Sequence, residues 1–265
     1  MTGLPYLQDV LALLSGGAVG FTLGLIGGGG SILAVPLLIY VVGVADTHVA
    51  IGTSAAAVAA SAFSNLLIHA RHGTVKWRCA LVFAAFGVVG AAGGSTLGKL
   101  TDGTVLLALF GVAMIVVGAA MLRRTAGGDD PHVRLTADTA LRLTPRLAAG
   151  GLAVGALSGF FGIGGGFLVV PGLIVATAMP MLNAVGSSLV SVTAFGTTTA
   201  ANYALDGLID WRIFVLFVAG GVAGGFGGTV LARRLGPQGS LKTIFSGLVI
   251  AVGLYVAGRG LLTLL

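Results

Sequence analysis

Two glycine clusters carry the backbone chemistry of this chain. The first reads Gly24-Leu25-Ile26-Gly27-Gly28-Gly29-Gly30-Ser31 and closes at Pro36. The second reads Gly159-Phe160-Phe161-Gly162-Ile163-Gly164-Gly165-Gly166 and closes at Pro171. Each interrupts a long apolar run. Glycine is a poor helix former and tolerates φ > 0, so each cluster is expected to break a helix. A break frees N–H and C=O groups that lipid cannot satisfy, and it survives only inside protein or beside a cavity. Helices restarting at Ser31 and Gly166 would place free N–H groups and a positive dipole end there. The chemistry this suits is reversible binding of an oxyanion by backbone amides. Matched breaks in two halves of a membrane chain point to a substrate site between repeats.

Hydroxyl and amide side chains are the other candidates. Thr53 and Ser54 align with Ser187 and Ser188 in the second half, and Asn65 and Asn202 sit on polar helix faces. The expected binding set is therefore Gly28, Gly29, Gly30, Ser31, Thr53, Ser54, Asn65, Gly164, Gly165, Gly166, Ser187, Ser188 and Asn202. The alternative for the hydroxyls and amides is helix-to-helix glue. For Gly90/Gly94 and Gly224/Gly228, at small-x-x-x-small spacing, helix packing is the expected role. All eight acids are aspartates at expected helix ends or loops. No carboxylate is placed centrally, which argues against a carboxylate cation site but does not exclude coupling through His69 or backbone carbonyls; the expected role of His48 and His69 is interfacial or structural. No nucleophile has a base partner and no Cys/His cluster has metal spacing, so neither enzyme chemistry, nor a metal, nor a cofactor is expected. The glycine runs are no dinucleotide fingerprint, because no βαβ pattern follows.

The elements that must position these residues are membrane helices. The chain has 265 residues, 56% hydrophobic and 8% charged, against roughly 25% charged in soluble domains. Apolar segments fall near 10–26, 32–44, 49–68, 79–97 and 105–122, then 147–161, 167–178, 184–205, 213–231 and 241–257. Several exceed the ~18 residues of a spanning helix. The expected fold is an all-α polytopic membrane protein of two homologous repeats. Each repeat holds a glycine-broken hairpin and three transmembrane helices. Residues 1–124 form the first repeat, 125–145 a cytoplasmic linker and 146–265 the second repeat. The repeat is carried further by Gly73/Gly207, Trp77-Arg78/Trp211-Arg212 and Gly87, Gly90, Gly93, Gly94/Gly221, Gly224, Gly227, Gly228. One cysteine, Cys79, excludes an internal disulfide framework. The N-terminus lacks the basic flank of a cleaved signal, so the first apolar segment is expected to remain.

Charge sets the expected topology. If each broken segment is a hairpin, the repeats are inverted. Arg71, Lys76, Arg78, Arg123, Arg124, Arg134, Arg142, Arg146, Arg233, Arg234 and Lys242 then share one side, with Lys99, Arg212 and Arg259 opposite. Basic residues prefer the cytoplasm, which puts both termini outside. The net charge of +6 reads as a topology signal, not a nucleic-acid patch.

The doubled Gly-x-x-Gly-x-Gly-Gly pattern with its trailing proline resembles the TauE/SafE, or sulfite exporter, family of bacterial membrane proteins. The first copy departs by having Gly28 where the second has Ile163. The resemblance implies a multi-pass inner-membrane transporter whose substrate is sulfite or an organosulfonate, with export the expected direction. The expected partners are that anion and the lipid bilayer, with homo-oligomerisation left open and no nucleic acid. The competing readings are a small-anion channel and a non-transporting membrane scaffold. The scaffold reading predicts a large apolar groove open to lipid.

Overall fold

A computed structural model describes residues 5–123, 135, 137–162, 166–235 and 240–264. Every element among them is helical. The order is α1 (Pro5–Ile26), a 3-10 segment (Gly27–Leu33), α2 (Ala34–Tyr40), α3 (Thr47–Arg71), α4 (Trp77–Lys99) and α5 (Gly103–Arg123). Then follow α6 (Ala137–Phe161), α7 (Gly166–Thr177), α8 (Met181–Ala204), α9 (Trp211–Leu235) and α10 (Ser240–Leu264). Among the described residues, five spans are long and apolar enough to cross a membrane: Tyr6–Ile26, Thr47–Arg71, Trp77–Lys99, Gly103–Ala120 and Trp211–Ala232.

Two elements differ from expectation. The first glycine cluster does not leave an open gap but winds as a 3-10 helix into α2. Gly27 ends α1 in the left-handed region, at φ +68, and the Ser31 hydroxyl then closes the tight turn on the Gly28 carbonyl at 2.9 Å. Helix α6 begins at Ala137 instead of near 147, so part of the expected linker is helical, with Pro145 inside it. Leu143 and Leu147 are buried on one stripe while Leu141, Arg142, Pro145 and Arg146 are exposed. That amphipathic spacing supports a helix despite the proline.

The aspartates explain where several helices start. Asp46 accepts from the His48 and Val49 N–H groups, Asp102 from Thr104 and Val105, and Asp210 from Arg212 and Ile213. Each satisfies N–H groups that a first turn leaves free. Asp9 pairs with Arg212 at 2.6 Å, and Asp206 pairs with Lys99.

Glycine seams bind the halves together. α1 and α9 run side by side in one direction, with Gly16 on Phe217, Gly20 on Gly221 and Gly24 on Gly225 and Thr229. α4 and α6 do the same, with Gly151 on Phe83, Gly155 on Gly87 and Gly159 on Ala91. A β-carbon on Gly16, Gly20, Gly24, Gly151, Gly155 or Gly159 would enter the facing backbone. Gly90, Gly94, Gly224 and Gly228 lie in these seams, as their spacing predicts. In lipid, where burial of apolar surface gives no advantage, such close backbone approach is what holds helices together. α3 crosses α8 in the opposite direction, with Gly52 at Tyr203 and Ala59 at Gly196; α5 and α10 are likewise antiparallel, with Gly111 at Ala257 and Gly118 at Ile250.

The segments that follow the two breaks pack on the helices that precede them. Gly30 rests on the backbone of Thr22 and Leu23, and Gly172 of α7 rests on Val154 of α6. Phe161 and Phe167, either side of the second break, are both held by Phe110 of α5, at centroid separations of 5.6 and 5.9 Å.

Candidate functional site

The two glycine clusters meet. Gly28 lies against Gly166, so that a β-carbon on Gly28 would stand 2.7 Å from the Gly166 Cα. A β-carbon on Gly166 would collide with the Gly28 carbonyl and come within 2.5 Å of the Ser31 hydroxyl. The departure of the first motif from the second is thereby explained: a side chain at Gly28 would exclude α7. Gly27 and Gly162 occupy equivalent positions and share the left-handed conformation, at φ +68 and +66. They end α1 and α6 in the same way, and each next packs on the first turns of the other half's middle helix. Gly27 meets Val185 and Ser188 of α8, and Gly162 meets Ile51 of α3.

Polar groups at the junction find protein partners. The Gly28 N–H donates to Ser188 Oγ at 3.0 Å, while Ser188 donates to the Val185 carbonyl at 2.7 Å. The Thr22 hydroxyl reaches the Gly30 carbonyl at 3.3 Å. Ser54 donates to the Ile51 carbonyl at 2.8 Å, one residue from the position equivalent to Ser187. Ser31, Ser54 and Ser188 are fully buried. Gly28, Ser31, Gly166 and Ser188 are thus brought together, with Ser54 on the helix that packs the second break. Gly30 faces the backbone of α1. Gly29 belongs to the 3-10 turn, and Gly164 and Gly165 lie outside the described residues.

The remaining candidates have other partners. Thr53 accepts the Asp210 N–H at 2.9 Å and Ser187 accepts the Lys76 N–H at 2.8 Å. The two bonds are equivalent: each middle helix holds the turn before the fourth helix of the other half. Asn65 donates to the Ser61 carbonyl at 2.9 Å, accepts from Thr229 at 3.3 Å and packs on Gly225, between α3 and α9. Asn202 donates to Ser95 at 2.7 Å and accepts from Lys99 Nζ at 2.9 Å. Asn65 and Asn202 therefore do not meet, and the repeat register that pairs Thr53 with Ser187 pairs Asn65 with Thr199. Three threonines of α8, Thr193, Thr197 and Thr198, donate to the carbonyls one turn back in their own helix, while the buried Thr199 hydroxyl has no hydrogen-bond partner among the described residues.

A groove of about 530 Å³ opens between α3, α8 and α9, lined by Ala56, Ala60, Phe63, Ala201, Trp211 and Phe214 among others. Its threonines, Thr193 and Thr197, spend their protons on backbone, so its wall is apolar. An apolar groove is what the scaffold reading expects, without a location, and neither Thr74 nor Asn183 is among the expected site residues. The Thr74 carbonyl takes the Asn183 side-chain N–H at 2.9 Å, and its hydroxyl contacts His69 at 3.0 Å. The repeat register sets His69 opposite Tyr203, and both are buried.

A helical bundle with apolar helices of spanning length, whose two glycine-broken segments meet at Gly28 and Gly166, is that of a multi-pass membrane protein. The sequence model described as "Sulfite exporter TauE/SafE" matches residues 12–256. The chain belongs to the TauE/SafE family and is a membrane transporter of that family. A "Probable membrane transporter protein" of Xylella fastidiosa (strain 9a5c) is 52% identical over 251 residues, 94% of this chain and 95% of its own. "Probable membrane transporter protein YunE" of Bacillus subtilis is 28% identical over 243 residues, 85% of this chain and 88% of its own. "Probable membrane transporter protein MJ0441" of Methanocaldococcus jannaschii is 28% identical over 180 residues, 64% of each chain. No solved structure matches the chain.

Proposed function

We propose that the protein is a secondary transporter that exports a small oxyanion, sulfite or an organosulfonate, across the bacterial inner membrane. The substrate binds where the two glycine breaks meet, at Gly28, Gly29, Gly30 and Ser31 from one half and Gly164, Gly165 and Gly166 from the other. Ser54 and Ser188 supply hydroxyls from the crossing middle helices, and Thr53, Ser187, Asn65 and Asn202 hold the surrounding turns and helices. The observation that carries this reading is the contact between Gly28 and Gly166. Parting the breaks would free the Gly28 N–H from Ser188 and offer it to an oxyanion. With no buried lysine or arginine among the described residues, binding would be weak and release easy.

The two halves are inverted repeats in this reading. Two facts support it. Each broken segment packs back on the helix before it, and the equivalent helices α3 and α8 run in opposite directions. A hairpin in each half gives an odd number of crossings, which inverts the second half. The face with Thr74, Lys76, Asn183 and Ser187 is then cytoplasmic, and the face with Asp9, Lys99, Asp206 and Arg212 is outside. Alternating access would come from rocking across the glycine seams, with the breaks as the fixed centre. The apolar groove between α3, α8 and α9 favours a second reading, in which the protein seats a lipid chain or an apolar helix and moves no anion.

The deciding experiment is flux of labelled sulfite, ethanesulfonate and sulfate in proteoliposomes. Saturable flux of sulfite or the sulfonate is expected. No saturable flux of any of them would leave the second reading standing.

A further inference from the structure

We infer that His69 is the proton-binding site that couples anion movement to the proton gradient, an inference that rests on the transporter reading above. His69 is 1% exposed, near the end of α3, one turn inside the exposed Arg71, His72 and Gly73. Among the described residues it is the only fully buried basic side chain. Its Nε2 lies 3.2 Å from the Gly24 carbonyl, on the last turn of α1 before the first break. Its Nδ1 lies 3.0 Å from Thr74 Oγ1.

These partners suit both protonation states. A carbonyl only accepts, so Nε2 carries a hydrogen in either state. In the neutral ring, Nδ1 accepts the Thr74 hydroxyl proton. In the charged ring, Nδ1 donates to Thr74 Oγ1, and the hydroxyl turns to donate to the His69 carbonyl, 3.1 Å away. That carbonyl also faces the His72 and Thr74 N–H groups, at 3.2 and 3.3 Å, so it is not orphaned when the hydroxyl turns back. One hydroxyl rotation thus accommodates gain or loss of a proton in a buried place. A histidine kept only for packing needs partners for one state.

The connections lead to the candidate site. Gly24 begins the first glycine motif. Thr74 is tied to α8 through the Asn183 bond to its own carbonyl, and the adjoining turn through the Lys76 bond to Ser187. Ser188, next along, holds the Gly28 N–H. Charging the ring strengthens its bond to Gly24 and biases how the end of α1 sits against α3. Other charged groups are few on the elements packed here. α1 offers Asp9, at its far end on Arg212; α8 offers Tyr203, near its opposite end; α9 offers Arg212 at the far end and, near its close, Arg233 and the exposed Arg234; the adjoining loop offers Arg71, His72 and Lys76. Of these, Arg71, His72 and Arg234 are exposed, and Asp9, Tyr203 and Arg212 lie at the far ends of their helices. The surface side of the Arg71–Lys76 loop is the route for the proton.

The test uses the full-length protein in proteoliposomes, with labelled sulfite and ethanesulfonate as probes. The sulfonate is the anion of a strong acid, so any pH dependence of its movement belongs to the protein. Two quantities are measured: exchange at equal pH on both sides, and accumulation driven by a pH gradient of either sign. Glutamine can donate to Gly24 and accept from Thr74 but cannot charge. For His69→Gln, exchange is expected to persist while gradient-driven accumulation falls by about tenfold, within the usual range of coupling between two sites. Retained accumulation overturns the inference and leaves the transporter reading intact. Loss of exchange as well, with an unchanged melting temperature, overturns it too, since the residue would then serve binding or structure. Should His69→Gln fold poorly, Thr74→Val decides. It removes the acceptor for the charged ring, so the pH midpoint of accumulation should move to more acid values, and an unmoved midpoint overturns the inference. Absence of saturable exchange of both probes by the wild-type protein overturns the transporter reading itself, and this inference with it.

Discussion

Replacing Gly28 by alanine tests the junction most directly. Gly28 has an ordinary φ, so alanine costs nothing there in backbone strain. Its N–H remains free to donate to Ser188. What changes is one methyl group, which would stand 2.5 Å from Val192 Cγ2 and 2.7 Å from both the Cα and the carbonyl oxygen of Gly166. Val192 is a side chain and can give way, but Gly166 presents backbone. Reaching ordinary contact at 3.4 Å means parting the two breaks by roughly 0.7 Å, the difference between those distances. Overpacking of this kind costs about 1–3 kcal/mol. Gly166→Ala should cost more, because its methyl would enter the Gly28 carbonyl itself. Gly93→Ala is the control. Nothing lies within 4 Å of its added carbon, and a helical glycine replaced by alanine gains about 0.5–1 kcal/mol. The assay is thermal unfolding in detergent beside sulfite flux in proteoliposomes. The expected order of stability is Gly93→Ala at or above wild type, then Gly28→Ala, then Gly166→Ala, with flux reduced in the last two. Wild-type unfolding and wild-type flux in Gly28→Ala would refute the claim that the breaks meet at a functional contact.

Ser188→Ala removes the acceptor of a buried N–H and should lower stability by about 1–3 kcal/mol, measured by thermal unfolding. Ser187→Ala should cost less, because the Lys76 N–H it holds is only part-buried and water can replace the hydroxyl. A double-mutant cycle between Asn65→Ala and Thr229→Ala should give a coupling of about 0.6 kcal/mol in unfolding, typical of hydrogen bonds between membrane helices, and zero coupling would remove their 3.3 Å contact from the account of the α3–α9 interface. For topology, Cys79 is buried and is first replaced by alanine; His72→Cys should then resist an impermeant thiol reagent on intact cells while Leu205→Cys is labelled. The reverse pattern would turn the molecule over, and labelling of both would break the proposed crossing count.

The sequence by itself determined the class of the protein, because lipid imposes its rules on composition. With so few charges and apolar runs of spanning length, only a helical bundle could satisfy the backbone, and the family followed from the doubled glycine motif. It also located the helix-packing glycines at Gly90, Gly94, Gly224 and Gly228, since small residues one turn apart form a stripe whatever the partner. It could not name the partner. That α1 packs on α9 and α4 on α6 depends on two glycine stripes from opposite halves fitting each other, a relation between surfaces. The same limit applied at the junction. Four adjacent glycines announced a departure from the α-helix, but the left-handed Gly27 and the Ser31 hydroxyl decided that they would wind as a 3-10 turn. The hydroxyls of Thr53, Ser54, Ser187 and Ser188 were visible as an aligned set. Only the tertiary structure separated Ser188, which holds the first break, from Thr53 and Ser187, which hold turns of the opposite half. The difference of one residue along a helix rotates a side chain by about a hundred degrees, and which neighbour it then meets is fixed by how the halves interlock. His69 shows the limit most plainly, because a single histidine near a helix end acquires a meaning only when Gly24 and Thr74 are folded against its two nitrogens.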